Sequence, residues 1–210
     1  MSHVPSPAGF WKRYVAYFID FMLVTTVLNI VSTPLLLAAI LRPESVLYDL
    51  ARRDAVGVLD AQQALATLLP ELLWMTAAST LLYVVLAGAY FIGMEASARQ
   101  ATLGKQLLGL KVTARDGSRP GVGRVAGRFF AAGLSWLTLN VGHALAAWTR
   151  ERRALHDFVA GTRVENVDPA NAAMPAWGWV IVGLHALLAF ALLGMTVLLV
   201  ALVATQLPLP

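Results

Sequence analysis

Residues 21–41, 72–94 and 177–204 are almost unbroken runs of apolar side chains, and a weaker run covers 129–148. A helix needs about 20 consecutive apolar residues to cross the hydrocarbon core of a bilayer. The first three runs therefore each predict a membrane-spanning helix. Polar positions are gathered between the runs rather than alternating through them. Residues 43–70 mix charges of both signs with leucines at near-helical spacing, which predicts one or two short amphipathic surface helices. Pro70 is expected to end that stretch before the second spanning helix.

The most informative polar region is 95–128, where Arg99, Lys105, Lys111, Arg115, Arg119, Arg124 and Arg128 face only Glu95 and Asp116. Such a basic excess marks loops on the cytoplasmic side. Within it Leu103, Leu107, Leu108 and Leu110, beside Lys105 and Lys111, predict a short interfacial helix. Lys111-Val112-Thr113 reads as a strand leading into an Asp116-Gly117 turn, and residues 161–165 read as a second strand. If 129–148 crossed the membrane, the two strands would lie on opposite sides and could not pair. A re-entrant hairpin broken near Asn140 to Gly142, with arms of about 10 residues reaching about 15 Å, keeps both on one side. The positive-inside rule favours that alternative over a full span.

Composition agrees with a membrane solvent: 58% of the 210 residues are hydrophobic and 13% charged, against roughly 25% charged in soluble domains. Four hydrophobic elements at this length leave room only for short loops, so a separate catalytic domain is not expected and the chain is read as a non-enzyme. Cysteine is absent, which excludes disulfides and thiolate chemistry. His3, His143, His156 and His185 show no metal-ligand spacing, and no metal site or cofactor is expected. Lys12 and Arg13 before an apolar stretch resemble the start of a signal peptide. The stretch is too long for one and contains Asp20, so it is read as a retained helix.

Asp20 opens a run otherwise free of charge. In mid-span an aspartate costs roughly 2.5–3.5 kcal/mol, and less near the interface, so a compensating group is expected. Arg13 lies two helical turns earlier on the same face, about 10.5 Å away along the axis, too far for a direct ion pair. A third group from another segment is expected between or beside them. Asp20 has two readings of similar weight: a functional intramembrane carboxylate, or one that orders the helix start.

Three fragments carry a family resemblance: Phe10-Trp11-Lys12-Arg13-Tyr14-Val15-Ala16-Tyr17-Phe18-Ile19-Asp20, Thr102-Leu103-Gly104-Lys105-Gln106-Leu107-Leu108-Gly109-Leu110-Lys111-Val112, and Leu155-His156-Asp157-Phe158-Val159-Ala160-Gly161-Thr162. In this order they resemble the bacterial RDD family, named for one arginine and two aspartates, here Arg13, Asp20 and Asp157. The resemblance implies a multi-pass protein of the bacterial cytoplasmic membrane, with sodium/proton exchange proposed for some members. It divides the chain into a membrane domain, residues 1–164, and a linker with an additional transmembrane helix, residues 165–210.

Asp157 would then be the missing third group, giving a polar cluster of Arg13, Asp20 and Asp157 open to the cytoplasm. Lys105, His156 and Glu95 are second-rank members; for Lys105 and His156 interfacial anchoring is the stronger reading. Two other motifs fail. Gly104-Lys105 lacks the rest of a phosphate-binding loop, and Gly121 to Gly127 has one residue too many for a dinucleotide fingerprint. Gly123 and Gly127 instead suggest a close-packing helix surface.

The expected fold is thus an all-α polytopic membrane protein with three to four hydrophobic helical elements and a short cytoplasmic β pair, its N-terminus cytoplasmic. The expected function is transport of a small ion or solute, as in cation/proton exchange; the alternative is a structural or regulatory membrane protein. Expected partners are the lipid bilayer, a monovalent cation and proton, and a second copy of the chain, since four hydrophobic elements are few for alternating access. Nucleic acid is not among them.

Overall fold

The computed structural model describes residues 6–42 and 61–206. Three long helices, α1 (Phe10–Ile40), α2 (Ala61–Ala96) and α7 (Ala176–Gln206), are long and apolar enough to cross a membrane. At 1.5 Å per residue, the 31 residues of α1 extend about 46 Å, well beyond a hydrocarbon core of about 30 Å. Its charge-free part is 21–40, so the surplus is the stretch from Phe10 to Asp20, which stands at one membrane face.

At that face the chain builds a small extramembrane layer. It comprises α3 (Leu103–Leu107), β1 (Leu110–Ala114), α6 (Leu155–Ala160) and β2 (Thr162–Asn166). The strands pair antiparallel with Val112 opposite Val164. The N-terminal segment adds to β2, with Ala8 N–H donating to the Val164 carbonyl at 3.0 Å and Asn166 N–H to the Ser6 carbonyl at 2.8 Å. Ala8, Val15, Ala16, Leu108, Leu110, Val112 and Val164 pack as a buried apolar core between the sheet and the start of α1. This core tethers the soluble layer to the first helix and places Arg13 and Asp20 beneath it.

Between the strands, α4 (Val122–Leu137) and α5 (Val141–Trp148) are bent by 103° at a three-residue break. Leu139 (φ +50°) and Asn140 (φ +64°) turn the chain there. Because β1 and β2 flank the pair and hydrogen-bond to each other, the hairpin leaves and returns on one face, as the re-entrant expectation required.

Helix α7 starts on the same face and runs parallel to α1. Trp11 meets Trp179, and farther along Phe18 packs on His185 with ring centroids 4.1 Å apart. Most of its remaining side chains are exposed apolar groups, suited to lipid contact.

Two local expectations need correction. Pro70 does not end a surface helix: α2 runs through it from Ala61, because proline's fixed φ is helix-compatible and the lost hydrogen bond affects a single turn. The stretch 43–60 lies outside the described residues. Gly123 and Gly127 do not form a packing surface among the described residues, since a Cβ at either would meet none of them within 4 Å.

Candidate functional site

Asp20 is fully buried where α1 leaves the sheet face. Its Oδ1 accepts from Tyr90 Oη and from Gly104 N–H, both at 2.7 Å, and its Oδ2 from Thr102 Oγ1 at 2.5 Å. Tyr90 Oη in turn accepts from Leu103 N–H at 3.0 Å. The carboxylate therefore anchors the first turn of α3 to α1. That closeness requires glycine at 104, where a Cβ would overlap the Ala16 carbonyl.

Asp157, also fully buried, sits in the first turn of α6. Its Oδ2 accepts from Arg13 Nη2 and from Ala154 N–H at 3.0 Å, and its Oδ1 from Arg128 Nη1 at 2.8 Å. Burial alone would raise its pKa. The Arg13 and Arg128 guanidinium groups outweigh burial and hold the carboxyl well below the ordinary carboxylate range. Arg153 closes the other side of α6, donating to the Asp157 carbonyl at 2.8 Å and the Thr162 carbonyl at 3.1 Å.

Arg13 and Asp157 thus meet, whereas Asp20 stands apart from them. The link between the two carboxylates passes through the second-rank residues. Lys105 Nζ donates to Thr102 Oγ1 at 3.2 Å and pairs with Glu95 Oε1 at 2.9 Å. Arg128 Nε lies 3.3 Å from Glu95 Oε2, and its Nη1 reaches Asp157. The path Asp20–Thr102–Lys105–Glu95–Arg128–Asp157–Arg13 is continuous. It contains Asp20, Glu95 and Asp157 against Lys105, Arg128 and Arg13, so the charges cancel.

Lys105 and His156 are not interfacial anchors; both are buried, because α3 and α6 turn these side chains inward. His156 Nε2 lies 3.2 Å from Arg128 Nη2. Burial, reinforced by the nearby Arg128 and Arg13, keeps the imidazole pKa well below its usual value. Arginine can only donate, so Nε2 accepts and the ring proton resides on Nδ1. That Nδ1 has no hydrogen-bond partner among the described residues.

Beside this network lies a cavity of about 660 Å³ between α1, α2 and the α4–α5 hairpin. Tyr17, Phe91, Phe129 and Trp136 are among its apolar lining, and Arg13, Glu95, Lys105, Arg128, His143 and His156 bring polar groups to it.

The sequence model of the RDD family matches residues 7–161. The chain belongs to the RDD family. This RDD protein is 35% identical over 161 residues to "Uncharacterized protein YxaI" of Bacillus subtilis (strain 168), covering 75% of the chain and 96% of the relative. It is 26% identical over 179 residues to "Uncharacterized protein YckC" of the same organism, covering 83% and 94%. No solved structure matches the chain. The family match takes in α1 to α6 and all three residues of the family name, and stops before β2 and α7.

In the sequence of this RDD protein Arg128, Thr102, Tyr90 and Arg153 do not stand out as site residues, and His143 lacks any ligand spacing. Arg128 carried a usable signal, since it stands at the threshold of an apolar run as Asp20 does. Thr102 opens the second family fragment but gives no sign there of a carboxylate partner, and Tyr90 carried no signal, because a hydroxyl among apolar residues is common in membrane helices.

Proposed function

We propose that this RDD membrane protein handles a small solute through the cavity between α1, α2 and the α4–α5 hairpin, with the balanced ion network as its fixed polar wall. The observation that carries this reading is the joining of a ligand-sized apolar volume to a set of charged and imidazole groups. No catalytic constellation accompanies them among the described residues, and we read the protein as a transport-type, non-enzymatic one. Asp157, held ionised by two arginines, is suited to fastening α6 rather than to carrying protons. A proton-coupled reading rests on Glu95, the carboxylate that lines the cavity: its partners Lys105 at 2.9 Å and Arg128 at 3.3 Å line the cavity too, so an entering anion would compete with it for them.

The test is proton movement in proteoliposomes when gradients of sodium, potassium, lithium or a weak organic acid are imposed. Wild-type protein is expected to move protons with at least one of them, and Glu95→Gln at equal incorporation to lose that flux. Absence of flux with every gradient supports the structural or regulatory alternative instead.

The basic excess of the sheet face supports a cytoplasmic position for it. With no native cysteine to interfere, Ser118→Cys, in the turn after β1, offers a single label site. It is expected to be protected from a membrane-impermeant maleimide in intact cells and labelled in inverted vesicles; the reverse pattern would place the sheet outside.

A further inference from the structure

We propose that the ligand of the cavity is an acidic-headed amphiphile drawn from the bilayer, its carboxylate or phosphate head at the Arg13–Lys105–Arg128 end and its tail between the aromatic rings. This rests on the reading above that the cavity is the solute site.

Three observations converge on that chemistry. The first is charge. Of the six charged members of the network, Arg13, Lys105 and Arg128 line the cavity together with Glu95, whereas Asp20 and Asp157 do not. The network as a whole is neutral, yet all three of its cations belong to residues that line the cavity, and two of its three carboxylates belong to residues that do not. The lining therefore counts three cations against one carboxylate, an imbalance that an anionic head would offset.

The second is an unmet hydrogen bond. His156 is 5% exposed and lines the cavity, and its Nδ1–H lacks an acceptor. His143, whose ring centroid is 5.0 Å away, also has a buried Nδ1 without a partner among the described residues. A buried donor without an acceptor is costly; Nδ1 is closed off in this structure, and an anionic head would satisfy it once the His156 ring turns toward the cavity. A metal cation or a protonated amine offers His156 Nδ1–H no acceptor and would be repelled by the surplus arginines.

The third is shape. The remaining wall is apolar, and Tyr17 stacks with Phe91, which stacks with Phe129, at centroid distances of 6.3 Å in each case. Phe130 and Leu139, at 64% and 91% exposure, belong to the same wall at its edge open to the surroundings. A volume of about 660 Å³ fits a head and part of one chain, within the range of ordinary ligand pockets. The rest of the chain would remain among lipid tails.

Native mass spectrometry of the detergent-purified protein tests this, using palmitate, lysophosphatidate, hexadecanol and inorganic phosphate as probes. Palmitate or lysophosphatidate is expected to bind at least tenfold more tightly than hexadecanol, which lacks the charge, and than phosphate, which lacks the tail. Gly133→Leu fills the cavity from α4, where an added Cβ meets nothing within 4 Å and the ion network is untouched. It is expected to weaken binding at least tenfold with an unchanged thermal midpoint. His156→Phe should weaken the acidic probes selectively.

Equal binding of hexadecanol and palmitate overturns the head assignment. Equal binding of phosphate overturns the tail, and binding indifferent to Gly133→Leu overturns the site. Binding as expected without any proteoliposome flux would leave this inference standing while the transport reading fails. Flux without amphiphile binding would do the opposite.

Discussion

Asp157→Asn is expected to destabilise the protein by about 3–5 kcal/mol, the usual consequence of removing one partner from a buried ion pair. At roughly 2–4 °C per kcal/mol for a chain of this size, the thermal midpoint in detergent should fall by about 6–20 °C. The reason is specific to this geometry. Asp157 is shared by Arg13 and Arg128 and also accepts from Ala154 N–H. An asparagine retains one carbonyl oxygen but directs an amide N–H at one of the donors and leaves two buried guanidinium groups facing each other. A midpoint within about 2 °C of wild type, or under about 1 kcal/mol of change, would mean that the arginines are solvated and that the pairing adds little.

The same residue predicts a pH dependence of definite sign. Its folded pKa lies below the unfolded value of about 3.9. Its contribution to stability is therefore complete above that pH and is lost as acid lowers the pH through the folded value. The stability difference between wild type and Asp157→Asn should stay level from about pH 8 to pH 5 and shrink only in stronger acid. Exchanging Arg13 and Asp157 should not rescue the single variants, because an arginine at 157 would stand against Arg128. A simple two-residue pair would be rescued by that exchange.

Gly104→Ala is expected to have the second large effect, at or above the top of the about 1–3 kcal/mol range for overpacking. The added methyl group would meet the Ala16 carbonyl and the Asp20 carboxyl carbon. The first of these is helix backbone and cannot rotate away. Moving α3 outward would also stretch the Gly104 N–H to Asp20 hydrogen bond, and with it the Thr102 and Lys105 contacts that connect Asp20 to Glu95. Gly127→Ala is the matched control. It lies in α4 in open space and should stabilise by up to about 1 kcal/mol through helix propensity. Thermal unfolding of both variants in one detergent measures the contrast. Equal effects would sink the claim that α3 is pressed against α1.

What could be read from the chain alone was set by solvent and by covalent neighbours. Apolar runs of spanning length at 21–41, 72–94 and 177–204 mark α1, α2 and α7, because a lipid-exposed backbone must satisfy its hydrogen bonds within its own helix. Lys111-Val112-Thr113 and residues 161–165 were legible as strands from short-range pattern, and the need for them to pair led to the re-entrant hairpin at 129–148. Asp20 stood out because a lone charge at the edge of such a run requires a partner.

The identity of that partner was decided only in three dimensions. The 10.5 Å of helix between Arg13 and Asp20 is spanned by Thr102, Lys105, Glu95, Arg128 and Asp157, which come from other elements and have no fixed sequence distance from either end. Ion-pair energies inside a protein depend on ångström-scale separation and local burial. The arrangement that brings Arg13, Lys105 and Arg128 of a neutral network into the wall of a cavity, and leaves Asp20 and Asp157 out of it, therefore follows from packing and leaves no periodic trace in the chain.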